Sequence, residues 1–215
     1  MNVTRRGFLN NLTLLSAGAF CMPALSGAFS AEGKPWIVGI GRSGGRIVLS
    51  CMRQAIDARF LIIEDDFNTG SGQGYQRAWF NYSGMDRYDG YELGNIVYCF
   101  ANFERVYGEM DRIILVNGIG GKFGTTIGRK FFNDLHESGK KFYWITSFPF
   151  DFEGTRRMER ANDFMRDIQY FSNFVCFYNE SIRHQYDIIN RSDVFKVSDQ
   201  VFLQKIKTIV NTIFL

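Results

Sequence analysis

The 215-residue sequence has little of several features that mark whole classes of protein. It contains 3 prolines, 2 histidines and 4 cysteines, and the cysteines (Cys21, Cys51, Cys99, Cys176) are widely spaced with no Cys-x-x-Cys pair. So few prolines exclude a Pro-rich linker or a collagen-like chain. The scattered cysteines, none in a ligand spacing with His136 or His184, offer no zinc pattern and no disulfide framework. Cys99 and Cys176 read instead as small core residues. No stretch reaches the ~18 uninterrupted apolar residues of a transmembrane helix. Charge of one sign is also scarce: 25 Lys+Arg face 22 Asp+Glu, and a net +3 argues against a nucleic-acid surface. What is abundant is apolar. Hydrophobic residues make up 46% of the chain and Phe alone contributes 22 copies, which implies one domain with an aromatic core or apolar surface awaiting a partner.

The first thirty residues read as separate from the fold. Thr4-Arg5-Arg6-Gly7-Phe8-Leu9-Asn10 resembles the twin-arginine export motif, with Asn10 where Lys is usual. A weakly apolar stretch from Leu12 to Leu25 follows, then Ala28-Phe29-Ser30, which places a cut after Ser30. Removing that segment takes away Arg5 and Arg6 and leaves a net charge of +1. Phe20 before Cys21 argues against a lipoprotein signal. The resemblance implies the periplasm or cell envelope; an uncleaved segment would instead tether a cytoplasmic domain to the inner membrane.

Residues 35–215 alternate strand and helix patterns. Strands are expected at 36–40, 60–63, 77–82, 112–116, 141–146 and 174–178. Helices are expected at 47–58, 91–107, 125–138, 155–170 and 194–214, with a loop over 68–74. This alternation implies a three-layer, Rossmann-like α/β fold: a mostly parallel sheet with helices on both faces and ligands at the carboxyl ends of its strands.

Gly39-x-Gly41-x-x-Gly44 follows the first strand and opens a helix, and Glu64 lies twenty residues beyond Gly44 at the end of the second strand. Bare glycine backbone lets a phosphate reach N–H donors at a helix N-terminus. Alone, this pattern fits a dinucleotide as well as a mononucleotide. A second glycine turn, Asn117-Gly118-Ile119-Gly120-Gly121-Lys122-Phe123-Gly124-Thr125-Thr126, follows the strand 112–116. Two such turns suit a polyphosphate held from two sides.

The second turn resembles the tubulin/FtsZ family. Its signature GGGTGTG falls on residues 120–126, with four of seven positions matching. Pro149-Phe150-Asp151-Phe152-Glu153-Gly154-Thr155-Arg156-Arg157 resembles the PFxFEGxxR segment of FtsZ. Phe177-Tyr178-Asn179-Glu180 and Val194-Phe195-Lys196-Val197-Ser198-Asp199 resemble the strand end and central helix that hold the base. The resemblance implies a GTP or GDP site, with Mg²⁺ beside a triphosphate. Gly41, Gly44, Gly45, Gly120, Gly121, Gly124 and Thr125 would hold phosphates, and Glu153 and Arg157 the ribose side. Asn179, Phe195 and Asp199 would hold the base, Asp199 accepting from the N1 and N2 hydrogens of guanine.

Three departures alter the cradle. Arg46 stands where FtsZ usually has Asn beside the base, Lys122 and Phe123 replace Gly and Thr, and Thr126 replaces the last Gly. Lys122 supplies a cation for phosphate. The chain stops within the central helix, before the family's synergy loop, so binding is expected rather than hydrolysis. The apolar end of that helix (Ile209, Val210, Ile213, Phe214, Leu215) is expected to be exposed for a protein partner or self-association. Two other readings stand beside this one: an NAD-dependent oxidoreductase using the first turn and Glu64, and a nucleotide-free interaction module with Arg46 and Phe123 filling the pocket. If the leader is a twin-arginine signal, replacing Arg5 and Arg6 together by lysine should retain a fused folded reporter in the cytoplasm, as read by cell fractionation.

Overall fold

The computed structural model describes residues 33–64, 76–79, 107–186 and 190–213. The leader, the loop over 68–74, Cys99 and nearly all of the helix expected at 91–107 lie outside them. Six strands form one sheet: β1 (Trp36–Ile40), β2 (Arg59–Glu64), β3 (Gln76–Trp79), β4 (Arg112–Gly118), β5 (Lys141–Phe148) and β6 (Phe174–Tyr178). Their order is β3-β2-β1-β4-β5-β6, and every pairing is parallel. β1 and most of β4 are buried throughout, which explains their unbroken apolar runs. The described helices are α1 (Gly41–Arg53), α2 (Lys122–Glu137), α3 (Thr155–Ile168), α4 (Asn179–Gln185) and α5 (Arg191–Ile213).

Alternate strand residues feed opposite faces. Val38, Leu61, Leu115 and Trp144 join Phe131, Phe132 and Leu135 of α2 and Phe164 and Ile168 of α3 in one core. Phe132 stands at its centre, with ring centroids 5.0 Å from Trp144, 5.4 Å from Phe142 and 4.8 Å from Phe171. Much of the abundant Phe thus fills the interior, in edge-to-face and stacked pairs. α1 covers the other face at very close range. A Cβ on Gly39 would lie 2.5 Å from the Gly44 carbonyl oxygen, and one on Gly44 only 2.3 Å from that of Val116.

That close packing explains a difference from the sequence reading. α1 begins at Gly41, not at Ile47, because the glycines that look like a loop form its first turn against the strands. It stops at Arg53, short of Ala58, where Ala55 adopts a left-handed φ of 49°. α4 and a single 3-10 turn at Asp151–Glu153 escaped the periodicity because each is too short to show one.

The C-terminal helix also differs from expectation. Ile209 and Val210 are buried, not exposed, at 0% and 8%. α5 packs along α1, and Phe202 meets Phe177 of β6 at 5.1 Å. The side chain of Ile213, together with Phe214 and Leu215, lies outside the described residues. Cys176 is part-buried against the core, and burial pushes the thiols of Cys51 and Cys176 up to about 12.

One buried amide ties the core to the second glycine turn. Asn117, fully buried on β4, donates from Nδ2 to the Gly124 carbonyl at 2.8 Å. Its Oδ1 accepts from Trp144 Nε1, also at 2.8 Å. Gly128 leaves the space, since a Cβ there would lie 2.6 Å from Asn117 Nδ2. Asn117→Leu would leave the Trp144 indole N–H buried without its acceptor and remove the side-chain bond to the Gly124 carbonyl in the first turn of α2. It should lower unfolding free energy by about 2–4 kcal/mol in urea titrations.

Candidate functional site

The sheet's strand order reverses between β1 and β4, the crevice where open α/β sheets hold ligands. These two strands pair with Ile40 opposite Asn117, so the turns after them leave the sheet side by side. Gly41 takes a φ of +70° there, and a Cβ on it would lie 3.6 Å from Gly124 Cα. The turns frame a cleft of about 550 Å³, within the ~300–1,000 Å³ of small-ligand sites.

Its electrostatics favour an anion. α1 and α2 both begin at this edge, neither has a side-chain cap, and neither carries an acidic residue in its first turn. Each therefore presents the positive end of its dipole and its first-turn backbone donors. Arg42, Arg46, Lys122 and Arg157 line the cleft, against two carboxylates, Glu153 and Asp199.

The second turn is held rigidly. Thr125 Oγ1 accepts from the Gly120 N–H at 2.8 Å, and Arg160 Nε of α3 donates to the Gly120 carbonyl at 2.8 Å. The Ile119 N–H reaches the Ser147 carbonyl at 3.0 Å. Gly120 sits at φ +93°, where a Cβ would come within 2.7 Å of the Arg157 carbonyl oxygen. Phe123 is turned largely into the core, 7% exposed, with its ring beside Gly41.

At the opposite end, Phe195 meets Phe150 edge-on at 5.2 Å, and Phe150 stacks on Phe152 at 4.9 Å. The aromatic residues of the 149–157 segment thereby seat the start of α5. Glu153 has two duties: Oε1 accepts the Phe150 N–H at 2.9 Å and Oε2 pairs with Arg157. Asn179 is 5% exposed, and its Oδ1 accepts from Ser198 Oγ at 2.8 Å. Asp199 accepts from Arg46 twice, from Nε at 2.7 Å and from Nη2 at 2.8 Å. Burial raises the Asp199 carboxyl above the usual carboxylate range, while the Arg46 hydrogen bonds and charge pull it back.

The cleft wall includes Gly41, Arg46, Gly121, Lys122 and Gly124 from the two turns. From the later segments it takes Glu153, Arg157, Asn179, Phe195 and Asp199. Gly44, Gly45, Gly120 and Thr125 stand behind that wall. Gly44 abuts Val116, Gly45 abuts Glu64 and Ile62, and Gly120 and Thr125 bond one another within the turn. Arg42, Ser43, Ser147 and Ser198 also line the cleft and were missed from sequence. Ser43 was findable as a hydroxyl inside the first glycine pattern. Ser147 and Ser198 carry no motif and are brought in by β5 and α5.

A wholly parallel sheet with two glycine turns meeting at its switch point defines an α/β domain of the ligand-at-the-crevice class. No protein-family model and no curated protein matches the chain. Solved structures do. An empty FtsZ dimer from M. jannaschii matches with TM-score 0.68 at 19% identity over 95% of this chain and 59% of that one. CetZ2 from Haloferax volcanii, a GTPγS-bound protofilament, matches with TM-score 0.62 at 14% identity, over 83% and 58%. TubZ of Clostridium botulinum phage c-st matches with TM-score 0.56 at 16% identity, over 84% and 62%. The fold is that of the tubulin/FtsZ GTPase domain. The chain spans about three fifths of the length of these structures.

Glu153→Ala should destabilise the domain by about 1 kcal/mol through loss of the Phe150 cap, while Glu153→Gln, which keeps an acceptor, should cost less. Chemical denaturation of both variants checks this.

Proposed function

We propose that the chain binds a guanine nucleotide, its polyphosphate between the two glycine turns and its base at Phe195 and Asp199. The observation that carries this reading is the convergence on one cleft of two helix N-termini without side-chain caps, four cations and a half-buried acidic acceptor. Backbone at Gly41, Gly121 and Gly124, with Lys122, receives the phosphates, and Gly44, Gly45, Gly120 and Thr125 hold that backbone in place. Glu153 and Arg157 face the ribose side, and Asn179 and Asp199 face the base. An acceptor opposite the N1 and N2 hydrogens favours guanine over adenine, which lacks that pair of donors.

Mg²⁺ would accompany a triphosphate, held mainly by phosphate oxygens and water. Among the described residues no three His, Cys, Asp or Glu side chains cluster to make a metal cage. The role proposed is binding rather than turnover. Both cleft carboxylates are engaged by arginines, which leaves neither poised as a general base for water. Self-association is proposed as the partner relation, in keeping with the dimer and protofilament forms of the similar structures. The twin-arginine-like leader supports the periplasm or envelope as its location, with nucleotide loaded before export.

A second reading has its own observation: the Arg46–Asp199 pair already engages the acceptor at the proposed base end of the cleft, as a nucleotide-free interaction module would require. The oxidoreductase reading leaves the second turn, Glu153 and Arg157 without a role. Thermal melts separate all three. GTP or GDP at a hundredfold excess over Kd should add about 2.7 kcal/mol, a rise of roughly 5–10 °C. A response to NAD(H) alone, or to no nucleotide at millimolar concentration, would overturn the proposal.

A further inference from the structure

The guanidinium of Arg46 does at this site what the base is proposed to do. It lies over the Phe195 ring, 5.5 Å from the centroid, and grips both oxygens of Asp199 with two parallel N–H donors at 2.7 and 2.8 Å. The N1–H/N2–H₂ edge of guanine is itself a planar guanidine fragment with two parallel donors. Both groups need the same acceptor and the same aromatic face. The side chains differ in burial: that of Asp199 is 17% exposed and that of Arg46 48%. Asp199 is therefore fixed in the wall, whereas Arg46 has an open path into solvent, where its charge is hydrated at little cost.

We infer that Arg46 is a specificity-determining residue that competes with guanine for Asp199 and the Phe195 face, and so weakens both guanine affinity and guanine-over-adenine discrimination. The inference rests on the nucleotide-binding reading and deepens it. A guanine entering the site must exchange a forked, charge-assisted pair for its own two donors. A nucleotide held only through its phosphates leaves the Arg46–Asp199 pair intact, whatever base it carries. Arg46 also lies near the anion-favouring turns, so a simple role in attracting phosphate predicts the opposite sign: removing it would weaken binding.

The test is calorimetric titration of the full chain with GDP and with ADP, for wild type, Arg46→Asn and Arg46→Lys. Lys keeps the positive charge and loses the planar fork, and it maintains the test should the Asn variant fail to fold. Release of Asp199 should tighten GDP binding roughly tenfold in both variants, with ADP affinity changed less than about twofold. GDP binding detectable only after Arg46 is replaced supports the inference equally. Unchanged or weaker GDP binding in both variants, with wild type still binding GDP, overturns the role of Arg46 and leaves the proposed function standing. Failure of all three proteins to bind GDP overturns both.

Discussion

The pairing of β1 with β4 is the constraint on which the site depends. Parallel hydrogen bonding in register, Ile40 opposite Asn117, forces the two turns that follow to emerge as neighbours at one sheet edge. Neither turn could stay there if helix α1 stood at an ordinary distance from the strands. Gly39 and Gly44 remove the two β-carbons that would hold it away, and a Cβ at Gly44 would overlap the Val116 carbonyl at 2.3 Å. Glycine here is first a packing residue, and the accessible helix N-terminus follows from that packing.

A second set of contacts converts two adjacent turns into one shaped cleft. Asn117 joins the second turn to the aromatic core through Trp144, and Arg160 reaches back from α3 to the Gly120 carbonyl. Phe150 and Phe152 seat Phe195, so the segment that carries Glu153 and Arg157 also sets where α5 begins. Both cleft carboxylates then pair with arginines, one within a helical turn and one across 153 residues of chain. The local pair keeps the strand-to-helix corner in shape. The distant pair joins α1 to α5 across the proposed base end.

Strand order alone is not diagnostic, since dinucleotide-binding domains use the same sequence of strands. The second turn and the 149–157 segment make the distinction. Both were readable as contiguous motifs, because backbone approach to a phosphate and the capping of a short turn are local requirements that act on neighbouring residues. Lys122 and Phe123 were readable as substitutions, yet not their directions: Phe123 turns largely inward beside Gly41, and the bulk that looked obstructive is mostly core. The exposure of Ile209 and Val210 on α5 was misjudged for a related reason. An apolar stripe declares that it must be covered, and says nothing of whether its own domain supplies the cover.

Taken alone, then, the order of residues determined the alternation of strands and helices, the two glycine turns and the segment around Glu153, since each is written within a few residues. Tertiary structure decided what depends on distance through space. It set Gly44 and Gly45 behind the cleft wall, brought Ser147 and Ser198 into it, and put the guanidinium of Arg46 onto Asp199. An ion pair between residues so far apart in the chain leaves no periodicity or spacing behind, because only the crossing of α1 and α5 makes them neighbours.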